Sequence, residues 1–406
     1  MVIIEKYTQF ETFSDEYHSS DWVFLHFIGS KNKHPLNDYP LMLYVRTSND
    51  NEYILSFAHD EAAELTLDAL TYLDNDKPKY VADIKAVCHF TNFRNVIDLQ
   101  QAEFQEHGNL IDNQVFLTTS HRFFYSKGMN NYVVPLMKHL ECCQDLFTNY
   151  KENIGVEYND FYRDANKVFA EVERAGLYVN PLKVPRGQSD NISKDYLMFT
   201  NYNVLTSTGR PSNTYDGLNF AALNKNDGSR KMIESRYDEL IEFDFDAYHV
   251  RLIGKIIGYD FGTESVHEHF SKLYNVSYEE SKSMTFKYLY GGVPDDIAKN
   301  HEFFGKVKDF YTKLWSRFNR DKVFLTDIYK RRITLDVKEF YPSKLFNYMI
   351  QSLETERNIV ILKSLLKEIK DFKSKLVLYH YDSFLFDYNK NDGDKFVEIV
   401  QKELQR

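Results

Sequence analysis

The segment Val377-Leu378-Tyr379-His380-Tyr381-Asp382-Ser383-Phe384-Leu385-Phe386-Asp387 constrains the fold more than any other part of the chain. Two apolar, β-prone runs flank a polar centre, the pattern of a hairpin with Asp382 at its tip. An aspartate there can project into a cleft. Far upstream, Ile241-Glu242-Phe243-Asp244-Phe245-Asp246 reads as a strand. Alternation puts Asp244 and Asp246 on one face and Phe243 and Phe245 on the other. Brought together, Asp244 and Asp382 could hold two magnesium ions about 4 Å apart, one activating an attacking hydroxyl and one stabilising a leaving pyrophosphate. Magnesium suits such a pair because it takes few carboxylates and completes its shell with phosphate and water. Each aspartate on its own fits a strand-end turn equally well.

A third feature lies between them. The stretch Lys282 to Gly292 (KSMTFKYLYGG) follows Ser277-Tyr278-Glu279-Glu280, an acidic helix start. A helix here places Lys282, Phe286 and Tyr290 on one face. The lysine would reach phosphates, and the rings would cover sugar and base. Taken alone, the same stripe fits an amphipathic helix with a snorkelling lysine.

At 406 residues and 43% hydrophobic content the chain can bury a large core across two or three domains. Its net charge of -10 is unusual for a nucleic-acid enzyme, since phosphate binding rests on Lys and Arg. Local positive charge in a groove can still hide inside an acidic total. The 30 Tyr and 32 Phe are read mainly as packing, with some available for stacking on bases. No run of about 18 apolar residues spans a membrane, and the first residues lack the pattern of a signal peptide. Cys88, Cys142 and Cys143 show no metal-ligand spacing. A reduced, cytoplasmic protein (bacterial or infected host cell) without structural zinc is expected.

The first 150 or so residues read as α/β. Three apolar runs (Trp22 to Ile28, Leu41 to Val45, Tyr53 to Phe57) are separated by polar turn sequences, and a helix is expected over Glu61 to Tyr72. Val168 to Ala175 reads as a helix stopped by Gly176, with Pro181 shortly after, and Pro185 to Asn191 as a loop.

In this order, the segments resemble the family A DNA polymerases. Asp244-Phe245-Asp246-Ala247-Tyr248-His249-Val250-Arg251 is similar to that family's motif A, Lys282 to Gly291 to motif B, and Tyr381-Asp382-Ser383 stands in the place of motif C. Thr206-Ser207-Thr208-Gly209-Arg210-Pro211-Ser212 resembles the Thr-x-Thr-Gly-Arg-x-Ser segment. Asn347 and Gln351 match the helix before motif C, and Val168 to Pro181, with Glu173, resembles the helix leading into the polymerase region. The combination of motifs is specific where each alone is not. The resemblance covers roughly residues 160–400 and suggests a compact, phage-like member of the family.

The resemblance implies an α+β protein: a right-hand polymerase palm and fingers over 151–406, with an RNase H-like α/β domain over 1–150. It implies DNA-templated addition of deoxynucleotides to a primer with two magnesium ions. Asp244 and Asp382 would bind metal, with Lys282 beside them in catalysis. Phe245, His249, Phe286 and Tyr290 would meet the nucleotide, and Arg210, Arg251, Asn347 and Gln351 the DNA.

The departures shape further expectations. His249 replaces a glutamate that blocks the ribose 2′-hydroxyl, Tyr278 replaces an arginine of motif B, and Ser383 replaces the second acid of motif C. Asp246 is a possible compensating ligand. Only Leu182 to Leu205 occupy the place of a thumb of about a hundred residues, too short for a long helical hairpin. A processivity or thumb-replacing partner is therefore expected, with Arg186 and its loop as one docking place, unless a helix within 120–165 takes the thumb's position. The first apolar run lacks the Asp-x-Glu pair of a 3′–5′ exonuclease, and Tyr80 to Lys85 only faintly resembles a later exonuclease segment. The N-terminal domain then reads as a vestigial exonuclease without proofreading. Two other readings stay open: a single-subunit RNA polymerase or primase, which can carry Asp-Ser in motif C, and a degenerate DNA-binding scaffold subunit.

Overall fold

Six N-terminal strands form one sheet: β1 (Val2–Ile3), β2 (Val23–Gly29), β3 (Pro40–Thr47), β4 (Glu52–Ser56), β5 (Lys79–Val81) and β6 (Val96–Asp98). In this computed structural model, which describes residues 1–30, 34–108, 130–185, 187, 189–213, 220, 223, 228–334 and 340–405, the order is β1-β4-β3-β2-β5-β6. β2, β3 and β4 are an antiparallel meander, and β5 and β6 run parallel to β2. This is the RNase H-like arrangement expected of the N-terminal region. The strands are unbroken apolar runs because both faces of the sheet are covered. Leu25, Leu43, Val45 and Leu55 face Phe13 and Tyr17 of the helix Tyr7–Ser19. Phe24, Met42, Tyr44 and Ile54 face Leu140, Cys143 and Phe147 of the helix Leu136–Tyr150.

That second helix belongs to the N-terminal core, so it does not substitute for a thumb. The helix expected over Glu61 to Tyr72 is instead a 3-10 turn over Leu67–Leu73. Two tertiary bonds draw the preceding segment out: Leu65 N–H donates to Ser56 O at 2.8 Å, and the Glu61 carboxylate accepts from Leu136 N–H at 2.9 Å, capping the helix Leu136–Tyr150. Arg186 lies outside the described residues.

The chain then enters the helix Asp160–Ala175. Asn159 caps it by accepting from Phe161 N–H at 3.0 Å, and Gly176 ends it at φ 66°. Its apolar face, including Phe161, Ala165, Phe169 and Val172, packs on Ile359 and Leu362 of the long helix Pro342–Glu368 and on the C-terminal sheet. That sheet has three antiparallel strands in the order Glu239–Asp244, Ser383–Tyr388, Lys375–His380. Phe384 and Phe386 turn into the core while Asp244 stays exposed. The helices Tyr248–Ile257, Val266–Tyr274, Tyr278–Gly291 and Glu302–Asp321 pack around Phe270, Phe303 and Phe304 beside it.

Between Leu182 and Leu205 the described residues form only short 3-10 turns and two-residue strands, with no α-helix. Among the described residues no helix is long and apolar enough to cross a membrane.

The N-terminal sheet and the helix Asp160–Ala175 meet at Glu173, a carboxylate 1% exposed. It accepts from Lys85 Nζ at 3.0 Å, His89 Nε2 at 2.8 Å and Tyr202 N–H at 2.7 Å. Burial works against its charge, but Lys85 and His89 outweigh it and hold the carboxyl below its usual range. His34, His89 and Glu173 lie within 4.8 Å of one another, as metal ligands can. Hydrogen bonding explains the cluster better. His34 Nδ1 accepts from Leu36 N–H at 3.3 Å, so its Nε2 carries the proton, facing Thr200 O at 3.0 Å. A protonated nitrogen is no metal ligand, and burial pushes the His34 imidazole down to about 4, keeping it neutral.

Candidate active site

The two aspartates come together through strand pairing. Asp244 ends its strand directly opposite Ser383, and Phe245 N–H donates to Asp382 O at 3.0 Å. Asp382 sits at the hairpin tip beside Tyr381, whose φ of 60° makes the tight reversal. Both carboxylates are exposed to one cleft of about 720 Å³. Their hard oxygen donors on adjoining strand ends fit magnesium.

The helix Tyr278–Gly291 forms the opposite wall. Ser277 and Glu280 cap each other's backbone N–H groups, a capping box that starts the helix. Ser281, Thr285 and Leu289 are its buried face, which turns Lys282, Phe286 and Tyr290 to the cleft. The Phe286 and Tyr290 rings stack with centroids 5.8 Å apart and planes 10° from parallel. His249 and Phe245 also line the cleft, as do Asn347 and Gln351 from the helix Pro342–Glu368.

Arg210 reaches the cleft from a tight turn in which Gly209 N–H donates to Thr206 O at 2.9 Å. Gly209 has φ 75°, and a Cβ there would stand 2.6 Å from Arg331 Nη1 and 2.9 Å from Phe161 Cζ, so only glycine fits. The Arg210 guanidinium lies 3.8 Å over the Tyr381 ring.

Asp246 and Arg251 pair with each other. The strand stops at Asp244, and Ala247 at φ 45° redirects the chain, so alternation does not extend to Asp246. The Asp246 carboxylate is committed to Arg251 Nη2 at 2.8 Å. Arg251 is held there and by Glu264 O at 2.9 Å; it lies outside the cleft, in a neighbouring groove. It orders the turn after the strand.

The structure adds residues that the motifs did not. His267 sits with its ring 5.7 Å edge-on to Phe286, 3% exposed, and burial lowers its pKa. Glu354, 1% exposed, stands in the cleft wall between His249 and Arg210. Ser383, in the place of an acid, donates to Glu242 on the paired strand.

No protein family and no curated protein matches the sequence. The structure does match. It superposes on the POL domain of Pol1 from M. smegmatis, solved in complex with DNA primer-template and dNTP, with a TM-score of 0.71, over 99% of this chain and 95% of that one. The fold is that of a DNA polymerase domain. Sequence identity across the match is 13%, so the likeness is one of architecture. The three-stranded sheet bearing Asp244 and Asp382 is then a palm, and the helices bearing Lys282 are fingers.

Proposed function

We propose that the protein is a DNA-templated DNA polymerase of the family A type, extending a primer 3′ end with deoxynucleotides. The observation that carries this reading is the convergence of Asp244, Asp382, Lys282 and Phe286 on one cleft within a polymerase-domain fold. Two magnesium ions held by Asp244 and Asp382 would activate the primer hydroxyl and neutralise the leaving pyrophosphate. Lys282 meets the triphosphate as a point charge. Phe286 and Tyr290 cover the base and sugar, and Arg210, Asn347 and Gln351 face primer and template. The solved relative holds primer-template and dNTP in a domain of the same architecture, which supports these ligands for this one.

The reading includes a lack of proofreading. β2 carries no acid. Asp83 and Asp98 are committed as helix caps, to Lys85 N–H at 2.9 Å and Gln100 N–H at 2.9 Å, and burial lifts the Asp98 carboxyl to about 7. Residues 1–150 serve as a scaffold descended from an exonuclease.

Primer extension with magnesium, comparing deoxy- and ribonucleotides, tests the function. No extension with either sugar would leave the scaffold reading, and ribonucleotide preference the RNA polymerase reading. A mismatched primer should not be shortened in the same reactions.

Grip on the duplex should be weak. Affinity follows the number of phosphates neutralised, few are reachable without a thumb helix, and a net charge of -10 adds long-range repulsion. Under a heparin trap, we expect a few nucleotides per encounter. Products hundreds of nucleotides long from the isolated chain would show that other residues hold the DNA and that no partner is needed.

A further inference from the structure

Glu354 is an acid buried in the cleft wall, one turn beyond Gln351 on the helix Pro342–Glu368. A carboxylate 1% exposed is costly unless charged partners compensate it. Its two oxygens divide between two partners. Oε1 lies 3.1 Å from His249 Nε2, and Oε2 lies 3.1 Å from Arg210 Nε. Neither approach has the alignment of a hydrogen bond, so charge holds the contact with Arg210 and close packing the contact with His249.

Each partner is gripped on its far side by an aromatic residue. His249 Nδ1 meets the Tyr290 hydroxyl, and the Arg210 guanidinium stacks on Tyr381. Burial, with the charge of Glu354 beside it, keeps the Tyr290 phenol protonated. It can therefore donate to His249 Nδ1 and leave the Nε2 proton for Glu354.

Position on the helix Tyr278–Gly291 says which part of a nucleotide meets this chain of contacts. Lys282 is the phosphate end. Tyr290 lies two turns on, about 12 Å along the axis, where the sugar and base would lie. His249 then stands against the sugar. Arg210 and Tyr381, next to Asp382, stand on the primer side. One buried charge thus touches both halves of the reaction.

We propose that Glu354 determines sugar selection: it locks His249 as a fixed wall against the ribose 2′-hydroxyl, and the same carboxylate holds Arg210 in place for the primer terminus. This rests on the polymerase reading. An imidazole hydrogen-bonded at one nitrogen with space behind it can swing aside for an extra oxygen; one whose other nitrogen lies 3.1 Å from a buried carboxylate has no such space. Rigid support of this kind makes a site selective. Glu354 is a positioning residue, acting through His249 and Arg210.

The test is single-nucleotide incorporation with matched deoxy- and ribonucleotides by wild type, Glu354→Gln and His249→Ala. Wild type should favour the deoxynucleotide. Glu354→Gln should raise the ribo-to-deoxy ratio of kcat/KM by about 10-fold or more and also raise KM for primer-template. His249→Ala should raise the ratio similarly while leaving the primer-template KM in place. A ratio unchanged in either variant overturns the proposal, as does wild-type use of both sugars alike. If Glu354→Gln stops turnover, binding of each nucleotide to a dideoxy-terminated primer-template complex in calcium decides. A selective gain for the ribonucleotide upholds the proposal, and an equal loss of both overturns it. Failure of wild type to extend with any nucleotide is a separate result, and it removes the polymerase reading itself.

Discussion

Asp244→Asn and Asp382→Asn should each lower the single-turnover extension rate by at least about 10³-fold. Asparagine keeps the shape of the side chain and removes the charge that binds a divalent ion. Both carboxylates are exposed, one at the end of an edge strand and one at a hairpin tip. Neither is part of the packing beneath, so thermal unfolding should stay within a few degrees of wild type. The measurement is a rate at saturating nucleotide and magnesium, with a melting curve as control. Extension within about tenfold of wild type by either variant would remove that residue as a metal ligand.

Lys282→Ala should lower kcat/KM for nucleotide by about 10²-fold, near 2.7 kcal/mol of transition-state stabilisation. The lysine is exposed on the cleft side of its helix, opposite the packed Ser281, Thr285 and Leu289. Truncation therefore opens no cavity. Its charge would act on the triphosphate, where negative charge builds as pyrophosphate leaves. His267 beside it is held neutral by burial and cannot supply a replacement cation at neutral pH. A variant that loses melting temperature but keeps its nucleotide kinetics would make the helix structural only.

The parts of this molecule legible in the sequence are those where one local pattern fixes one local structure. The N-terminal strands were readable because a sheet covered on both faces needs apolar residues on both sides of each strand, as Leu41 to Val45 of β3 show. The hairpin carrying Asp382 was readable for the same reason, with a polar tip between two apolar arms. The stripe of Lys282, Phe286 and Tyr290 followed from helical spacing. What was not legible depends on partners far away in the chain. Glu61 looked helical and instead caps a helix that starts at Leu136. Asp246 does line the cleft, but its pairing with Arg251, after Ala247 turns the chain, was not legible. Glu354 lies in a helix with apolar residues nearly all round, and motif comparison passes over it. A signal was present: Glu354, Glu356 and Arg357 lie mid-helix within the mostly polar run Gln351 to Asn358, and charges buried there must be paired in space. Arg331, far from Glu356 in sequence, answers one of them at 2.8 Å.

Glu173 bears on how far the N-terminal unit can be treated as a leftover. Two of its three hydrogen-bond donors, Lys85 and His89, come from that unit. Cutting the chain near residue 150 would strip them away and leave Glu173 with Tyr202 N–H as its remaining donor. The same cut would also expose the apolar surface that the N-terminal unit now shields. On the proposed reading, a lineage that lost nuclease chemistry could drop the catalytic acids one by one and still keep the domain that carried them.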